Sequence, residues 1–289
     1  MKILITNLQL YPFRGSENWC MAVGTELVKR GHDVYIYSPM PREGIPFFEV
    51  KGIKFVTEGD FDLILENHNV LPNKCKGKVI IHTCHGTIKE ERPMYNAINV
   101  AVSEKAAKQW GLSTVIKNGI DTERMKPLHQ PNKEIKSVLS LCSSLKADNI
   151  LSEICNELGY RLTTTVGHEV PDVEHLINNA DLVFGVGRSL YDSMSCGRPV
   201  ISFDCRCYIH DMHGCGYVVP EMLDTNKDNM TGRDNTWTKE QLIEEIKKYN
   251  PEDGIRNREY IINNLNIKDT VDKYMAIYEE RQQSNIPKK

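Results

Sequence analysis

Apolar positions along the chain fall into two successive series of short β-type runs alternating with helical stretches. Ile3, Leu4 and Ile5 lie in a run from Lys2 to Thr6, and Trp19, Val23 and Leu27 then recur at the spacing of one helical face. Gly31-His32 ends that helix, Asp33 to Tyr37 alternates like a buried strand, and Ser38-Pro39 closes it. Further strands are expected at Ile53 to Thr57, Leu63 to Glu66, Val79 to Thr83 and Ile98 to Val102, each bounded by Gly, Asn, Asp or Ser.

The second series begins after a polar, aperiodic stretch from Pro127 to Lys136. Its strands are expected at Val138 to Cys142, Arg161 to Val166, Leu182 to Val186 and Val200 to Phe203, with helices at Ile150 to Leu158, Val173 to Asn178 and Ser189 to Ser195. Helices follow at Lys239 to Lys248, Gly254 to Asn263 and Asp269 to Arg281, and the tail from Gln282 to Lys289 reads as frayed. Strands alternating with helices imply parallel sheets, hence an α/β fold with a Rossmann-like domain in each half. The pattern divides the chain into residues 1–127, 128–268 and a final helix and tail at 269–289.

A chain of 289 residues is long enough for each half to bury its own core. Hydrophobic residues at 40% and charged residues at 26% describe a globular chain rather than a disordered or membrane-spanning one. The apolar run at Met1 to Thr6 is too short for a signal peptide or a spanning helix, so a cytoplasmic location is expected, with peripheral membrane association left open. Nine cysteines without regular spacing read as reduced thiols. The net charge of -3 argues against an extensive phosphate-tracking surface of the kind nucleic-acid binders carry.

The segment from Phe184 to Ile201 carries the most chemistry: a strand, a turn at Gly185-Val186-Gly187, a helix opening at Arg188-Ser189, a stop at Gly197 and a second strand. Glycines allow close backbone approach to a phosphate, and the first amides and the dipole of a helix favour an anion there. Arg188 is suited to a bidentate contact with a diphosphate, and Asp192, one turn on, to the hydroxyls of a ribose. The plainer reading is that Gly187 and Gly197 are turn and cap residues of an ordinary βαβ unit.

More than the glycines match a known pattern. Gly187, Arg188, Met194, Cys196, Gly197, Arg198, Pro199 and Val200 stand in register with the donor-binding helix of the family 4 ("group 1") retaining glycosyltransferases, and the segment closely resembles it. Three other places resemble the same family in the expected order. These are Gly15-Ser16-Glu17 with Gly31-His32-Asp33-Val34, the loop Ile81-His82-Thr83-Cys84-His85-Gly86-Thr87, and Val102-Ser103 with Val115-Ile116-Lys117-Asn118-Gly119-Ile120-Asp121. The resemblance implies a GT-B fold of two Rossmann-like domains facing across a cleft, a final helix crossing back onto the first domain, and no required metal or other cofactor. It implies a nucleoside diphosphate sugar as donor. Gly15 would lie under its diphosphate, Lys146 would clamp it with Gly187, Arg188 and Ser189, and His85 would act catalytically near the anomeric centre. Glu17 and His68 would belong to the acceptor side. Asp192 stands where the family has Glu, and the stretch Phe184-Gly185 where many members have a second Glu.

Other clusters read as structural. Asp60-Phe61-Asp62 fits a D-x-D motif but precedes its strand, so a solvated turn is expected; Lys74, Lys76 and Lys78 read as a solvated loop. Cys205, Cys207, His210, His213 and Cys215 are dense, but their spacing fits no zinc pattern, and no metal is assigned. The expected activity is transfer of a hexosyl or pentosyl unit to an acceptor hydroxyl, with retention. The acceptor class stays open among glycan, lipid, small molecule and a modified base of DNA. A non-catalytic nucleotide-sugar-binding scaffold and a nucleotide-sugar epimerase are the rivals.

Overall fold

The computed structural model describes residues 1–87, 89–166, 172–206 and 209–284. The chain forms two compact units, Met1–Gly119 with Ile267–Lys289, and Ile120–Asn266.

In unit 1, β1 (Lys2–Thr6), α1 (Gly15–Lys29), β2 (Asp33–Tyr37), α2 (Ile45–Glu49), β3 (Lys54–Phe55), β4 (Gly59–Asn67), β5 (Cys75–Cys84), β6 (Ile98–Ala101) and α3 (Glu104–Trp110) follow in order. The six strands form one parallel sheet in the order β3-β2-β1-β4-β5-β6. Successive strand residues point to opposite faces. Ile3, Ile5, Leu63, Leu65, Val79 and Ile81 therefore meet Trp19, Val23 and Leu27 of α1, while Leu4 and Ile64 pack with Tyr35 and Tyr37 on the other face.

One expectation is corrected here. β4 starts at Gly59, so Asp60-Phe61-Asp62 is strand rather than a solvated turn. The strand is kept because Asp62 accepts from the Lys2 amide (2.9 Å) and from Lys78 Nζ (2.7 Å), while Phe61 is buried. Lys76 and Lys78 likewise lie on β5 rather than in a loop, and Lys74 pairs with Glu58 at 3.5 Å.

In unit 2, β7 (Ser137–Ser140), α4 (Leu145–Leu158), β8 (Arg161–Thr164), α5 (Val173–Asn178), β9 (Leu182–Gly185), α6 (Arg188–Ser195), β10 (Val200–Asp204), β11 (His213–Val218), α7 (Pro220–Thr225), α8 (Lys239–Ile246) and α9 (Glu252–Asn264) give a five-stranded sheet in the order β11-β10-β9-β7-β8. All pairings are parallel except β10 with β11. One face carries Val138, Phe184, Ile201 and Phe203 against Leu151 and Ile154 of α4 and Leu242 and Ile246 of α8. The other carries Leu139, Val183 and Val200 against Leu190 and Met194 of α6 and Ile261 of α9. The polar stretch after Pro127 belongs to this unit: the amides of Leu128 and Asn132 donate to Asn178 Oδ1 (2.8 Å) and Asp181 Oδ1 (2.9 Å).

The last helix, α10 (Ile267–Ser284), belongs to unit 1. Tyr274, buried on α10, stacks edge-on against Trp19 (centroids 5.8 Å apart), and its hydroxyl lies 3.0 Å from Thr83 Oγ1. Arg30 ties α1 to the same helix through Asp272 (2.5 Å) and the Lys268 carbonyl (3.0 Å).

Candidate functional site

Open parallel sheets bind ligands beyond the carboxyl ends of their strands, at the point where the strand order reverses. In unit 2 that point lies between β7 and β9, because the chain runs from β7 outward to β8 and then returns through β9 to β10. The two loops leaving these strands each open a helix: Ser143-Ser144 into α4 and Gly187 into α6. Ser143 holds φ 50° and Gly187 φ 54°, both in the left-handed region. Ser144 caps α4 by accepting from the Ala147 amide at 3.5 Å, while its hydroxyl donates to the Cys205 carbonyl at 2.6 Å. Gly187 has no side chain with which to cap α6, and the first amides of a helix have no partners inside it.

The missing side chain at Gly187 has an internal reason as well. A Cβ there would lie 2.7 Å from Asn229 Nδ2. Asn229 belongs to a tight turn in which Asn226 Oδ1 accepts from the amides of Asp228 (3.2 Å) and Met230 (2.8 Å). Ser202 Oγ of β10 donates to the Met230 carbonyl at 2.6 Å and fixes that turn beside α6.

Arg188 and Asp192 are brought together, one turn apart on α6, at 3.4 Å between Nε and Oδ2. Both are buried. Asp192 Oδ1 has no hydrogen-bond partner among the described residues. Burial pushes the Asp192 carboxyl above the ordinary carboxylate range; Arg188 and Arg124 oppose the shift, and Glu174 and Asp121 reinforce it. Arg124 grips Glu174 through two bonds of 3.2 and 2.6 Å. Neither Arg124 nor Glu174 stands out in the sequence, although Arg124 lies three residues beyond the Asn118-Gly119-Ile120-Asp121 run. Ser189, half-buried, is the second residue of α6, and its carbonyl accepts from Ser193 Oγ at 2.8 Å. Lys146 is exposed in the first turn of α4, with Nζ bonded to the His210 carbonyl. Phe184 is wholly buried against Phe203.

Cys205 is buried after β10, His213 and Cys215 lie on β11, and His213 Nδ1 sits 3.0 Å from the Asn235 carbonyl. Cys207 lies outside the described residues. Among the described residues no group of three or more His, Cys, Asp or Glu side chains is arranged to hold a metal ion.

In unit 1 the strand order reverses between β1 and β4. Asn7, Asn67, His68 and His85 stand at the carboxyl ends of β1, β4 and β5, and Glu17 lies in the first turn of α1. Glu17 is buried as the third residue of that helix. It accepts from the Arg14 amide (3.1 Å), Asn7 Nδ2 (3.1 Å) and Ser16 Oγ (3.2 Å), so its carboxylate closes the helix end. Gly15 begins α1 with open space where a Cβ would stand.

His85 Nε2 lies 2.8 Å from Asn67 Oδ1. The Asn67 amide is oriented by the bond from its Nδ2 to the Thr6 carbonyl at 2.8 Å, so Oδ1 is the acceptor and His85 Nε2 carries the proton. Trp19 packs edge-on against the His85 ring at 5.3 Å and His68 stacks on it at 6.0 Å, 20° from parallel. His68 is held at φ 66° and pairs with Glu91 at 3.3 Å. Burial pulls the His68 imidazole down, but the Glu91 hydrogen bond and the charges of Glu91, Glu17 and Glu66 outweigh it and leave the ring above its ordinary value. Asn67 and Glu91 did not stand out in the sequence; the polar run Glu66-Asn67-His68-Asn69 closing an apolar strand was the available signal.

No protein-family model matches the chain, and no curated protein matches it in sequence. Solved structures do resemble it in fold. A sucrose-phosphate synthase from Thermosynechococcus elongatus superimposes with a TM-score of 0.61 at 12% identity, over 98% of this chain and 100% of that one. Anabaena HepE, solved in complex with UDP and glucose, gives 0.61 at 13% identity over 97% and 100%. A glycosyltransferase from Rickettsia africae gives 0.59 at 12% identity over 96% and 98%.

Proposed function

We propose that this chain, whose two Rossmann-like units have the GT-B fold of solved glycosyltransferases, is a nucleotide-sugar-dependent glycosyltransferase that moves a hexosyl or pentosyl unit to an acceptor hydroxyl with retention. The observation that carries this reading is the pair of helix starts, Ser143-Ser144 and Gly187, on either side of the strand reversal in unit 2. Charge builds on the leaving diphosphate as the glycosidic bond breaks, and fixed dipoles aimed at it lower the barrier. The start of α6, Ser189, Arg188 and Lys146 serve that purpose in the proposal, with Asp192 for the ribose. No metal is assigned a role. On this reading the diphosphate competes with Asp192 for Arg188, and Asp192 then turns to the ribose.

His85 is the catalytic residue of the proposal, with Glu17 and His68 on the acceptor side. The HepE complexes with UDP and with UDP-glucose, taken with the shared fold, support a donor of that class for this chain. Among the described residues no helix is long and apolar enough to cross a membrane, and the proposed setting is the cytoplasm. A modified DNA base is the weaker choice of acceptor, because Lys74 and Lys78 are paired with Glu58 and Asp62.

A thermal-shift screen of nucleoside diphosphate sugars tests the proposal, since a ligand held by the folded state raises the melting temperature. Saturation at about 100 times Kd adds about 2.7 kcal/mol. Arg188→Ala should abolish the ligand-induced shift, measured against the same variant without ligand. A shift of undiminished size would remove Arg188 from the donor site, and binding without hydrolysis or transfer would leave a sugar-nucleotide-binding scaffold instead.

A further inference from the structure

Glu91 lies in a 3-10 turn at Lys89–Glu91, six residues beyond His85, and its side chain is 8% exposed. One of its oxygens, Oε2, accepts the backbone N–H of His85 at 2.9 Å; the other, Oε1, faces His68 Nε2 at 3.3 Å. The carboxylate thus joins the loop after β5 to the end of β4, at the place where their two imidazoles stack. His68 pays for this with a left-handed backbone at φ 66°, a strained choice for a residue other than glycine. Asn69 beside it repeats the conformation at φ 55° and donates from Nδ2 to the Arg92 carbonyl at 2.9 Å, so the residue following Glu91 anchors the same loop.

We propose that Glu91 is the positioning residue of the unit 1 site: its two oxygens hold the His85 main chain and the His68 ring as one assembly, fixing where the His85 imidazole is presented. Asn67 holds the tip of that imidazole, Glu91 holds its base, and His68 covers one face while Trp19 meets its edge. Loss of the Glu91 charge releases the His68 cover, and loss of both its side-chain oxygens releases the base of His85 as well. The charged and titratable groups facing His68 are Glu91, Glu17, Glu66 and the neighbouring His85, so the imidazolium form of His68 is balanced chiefly by carboxylates.

This inference rests on the catalytic assignment of His85, and the experiment separates the two. Donor turnover is measured for His85→Ala, Glu91→Gln and the double variant, with donor KM and the titration of the His68 ring followed by NMR. Glutamine keeps an oxygen for the His85 amide but loses the charge that holds His68. The expected result is a tenfold or larger fall in kcat for Glu91→Gln with donor KM within twofold, and a His68 midpoint moved down, because the carboxylate that raises it is gone. The double variant should be no slower than His85→Ala alone, because Glu91 acts through that ring. Additive losses, or an unmoved kcat in Glu91→Gln, overturn the positioning role while leaving His85 catalytic; an unmoved kcat in His85→Ala overturns the catalytic assignment itself. Should Glu91→Gln fail to fold, the unaltered protein still decides: a His68 ring titrating at or below the free histidine value refutes the clamp, and one that stays protonated above it supports the clamp.

Discussion

Replacing Gly187 with alanine isolates the geometry on which the proposed donor subsite depends. Gly187 sits at φ 54°, ψ -123°, a region that costs a residue with a Cβ about 1–3 kcal/mol. The new Cβ would also stand 2.7 Å from Asn229 Nδ2 and 3.4 Å from the Asn229 carbonyl oxygen. The amide tip can rotate aside, whereas the backbone strain is relieved only by moving the first turn of α6. We expect a total loss of about 2–3 kcal/mol, most of it from the backbone. With a urea dependence of about 1–3 kcal/mol per molar, the midpoint falls by roughly 1 M. Trp237, whose indole donates to the Gly214 carbonyl at 2.7 Å, reports unfolding of this unit by fluorescence. Adding Asn229→Ala, referenced to Asn229→Ala alone, removes the steric part and leaves the strain. Full recovery in the double variant, or a neutral Gly187→Ala, would refute the assignment of the cost to backbone conformation.

Three further outcomes are expected. Burial pushes the Glu91 carboxyl up, but the His68 ring, the His85 charge and the His85 amide together hold it at about 2 against an ordinary 4.5. Its contribution is complete above pH 4.5 and disappears as pH falls toward 2. That shift corresponds to about 3 kcal/mol, so Glu91→Gln should flatten the acid limb of a urea-midpoint profile, and parallel limbs would contradict it. Arg198 is wholly buried and donates to the carbonyls of His129 and Ala180 and to Asn178 Oδ1. Arg198→Met should cost about 3 kcal/mol by chemical denaturation, because those acceptors lose their donors. A Cβ at Gly254 would overlap the Gly197 carbonyl oxygen and lie 3.3 Å from Pro199 Cδ. Gly254→Ala should therefore force α9 from α6 and destabilise by about 1–3 kcal/mol or more, read as a lower melting temperature.

The parts of the fold governed by local pattern were legible in the sequence. Ile3 and Ile5 alternating with Leu4, and Trp19, Val23 and Leu27 at helical spacing, have their apolar faces where the alternation put them. β11 was not legible: His213-Gly214-Cys215-Gly216 has neither alternation nor β-branched residues. Its glycines instead permit close crossings, as at Gly216, where a Cβ would stand 2.6 Å from Glu245 Oε2. The early start of β4 was hidden because the acidic Asp62 is stabilised there by Lys2 and Lys78, remote in sequence. The same reason kept Glu91 and Arg124 from view. A carboxylate separated from His68 by a whole strand, and an arginine paired across fifty positions with Glu174, acquire meaning only when strands converge. The Gly187 to Asp192 segment was visible because its residues are local, but the mutual pairing of Arg188 with Asp192 was not foreseen.

The return of α10 to the first unit bears on how the molecule is made. During synthesis the segment up to Gly119 emerges first, yet Tyr274, which fits against Trp19 and Thr83, is translated after the entire second unit. The first unit thus emerges with an apolar seam along α1 that stays uncovered until the second unit has been synthesised. Chaperone demand on the nascent chain should accordingly be concentrated in that interval.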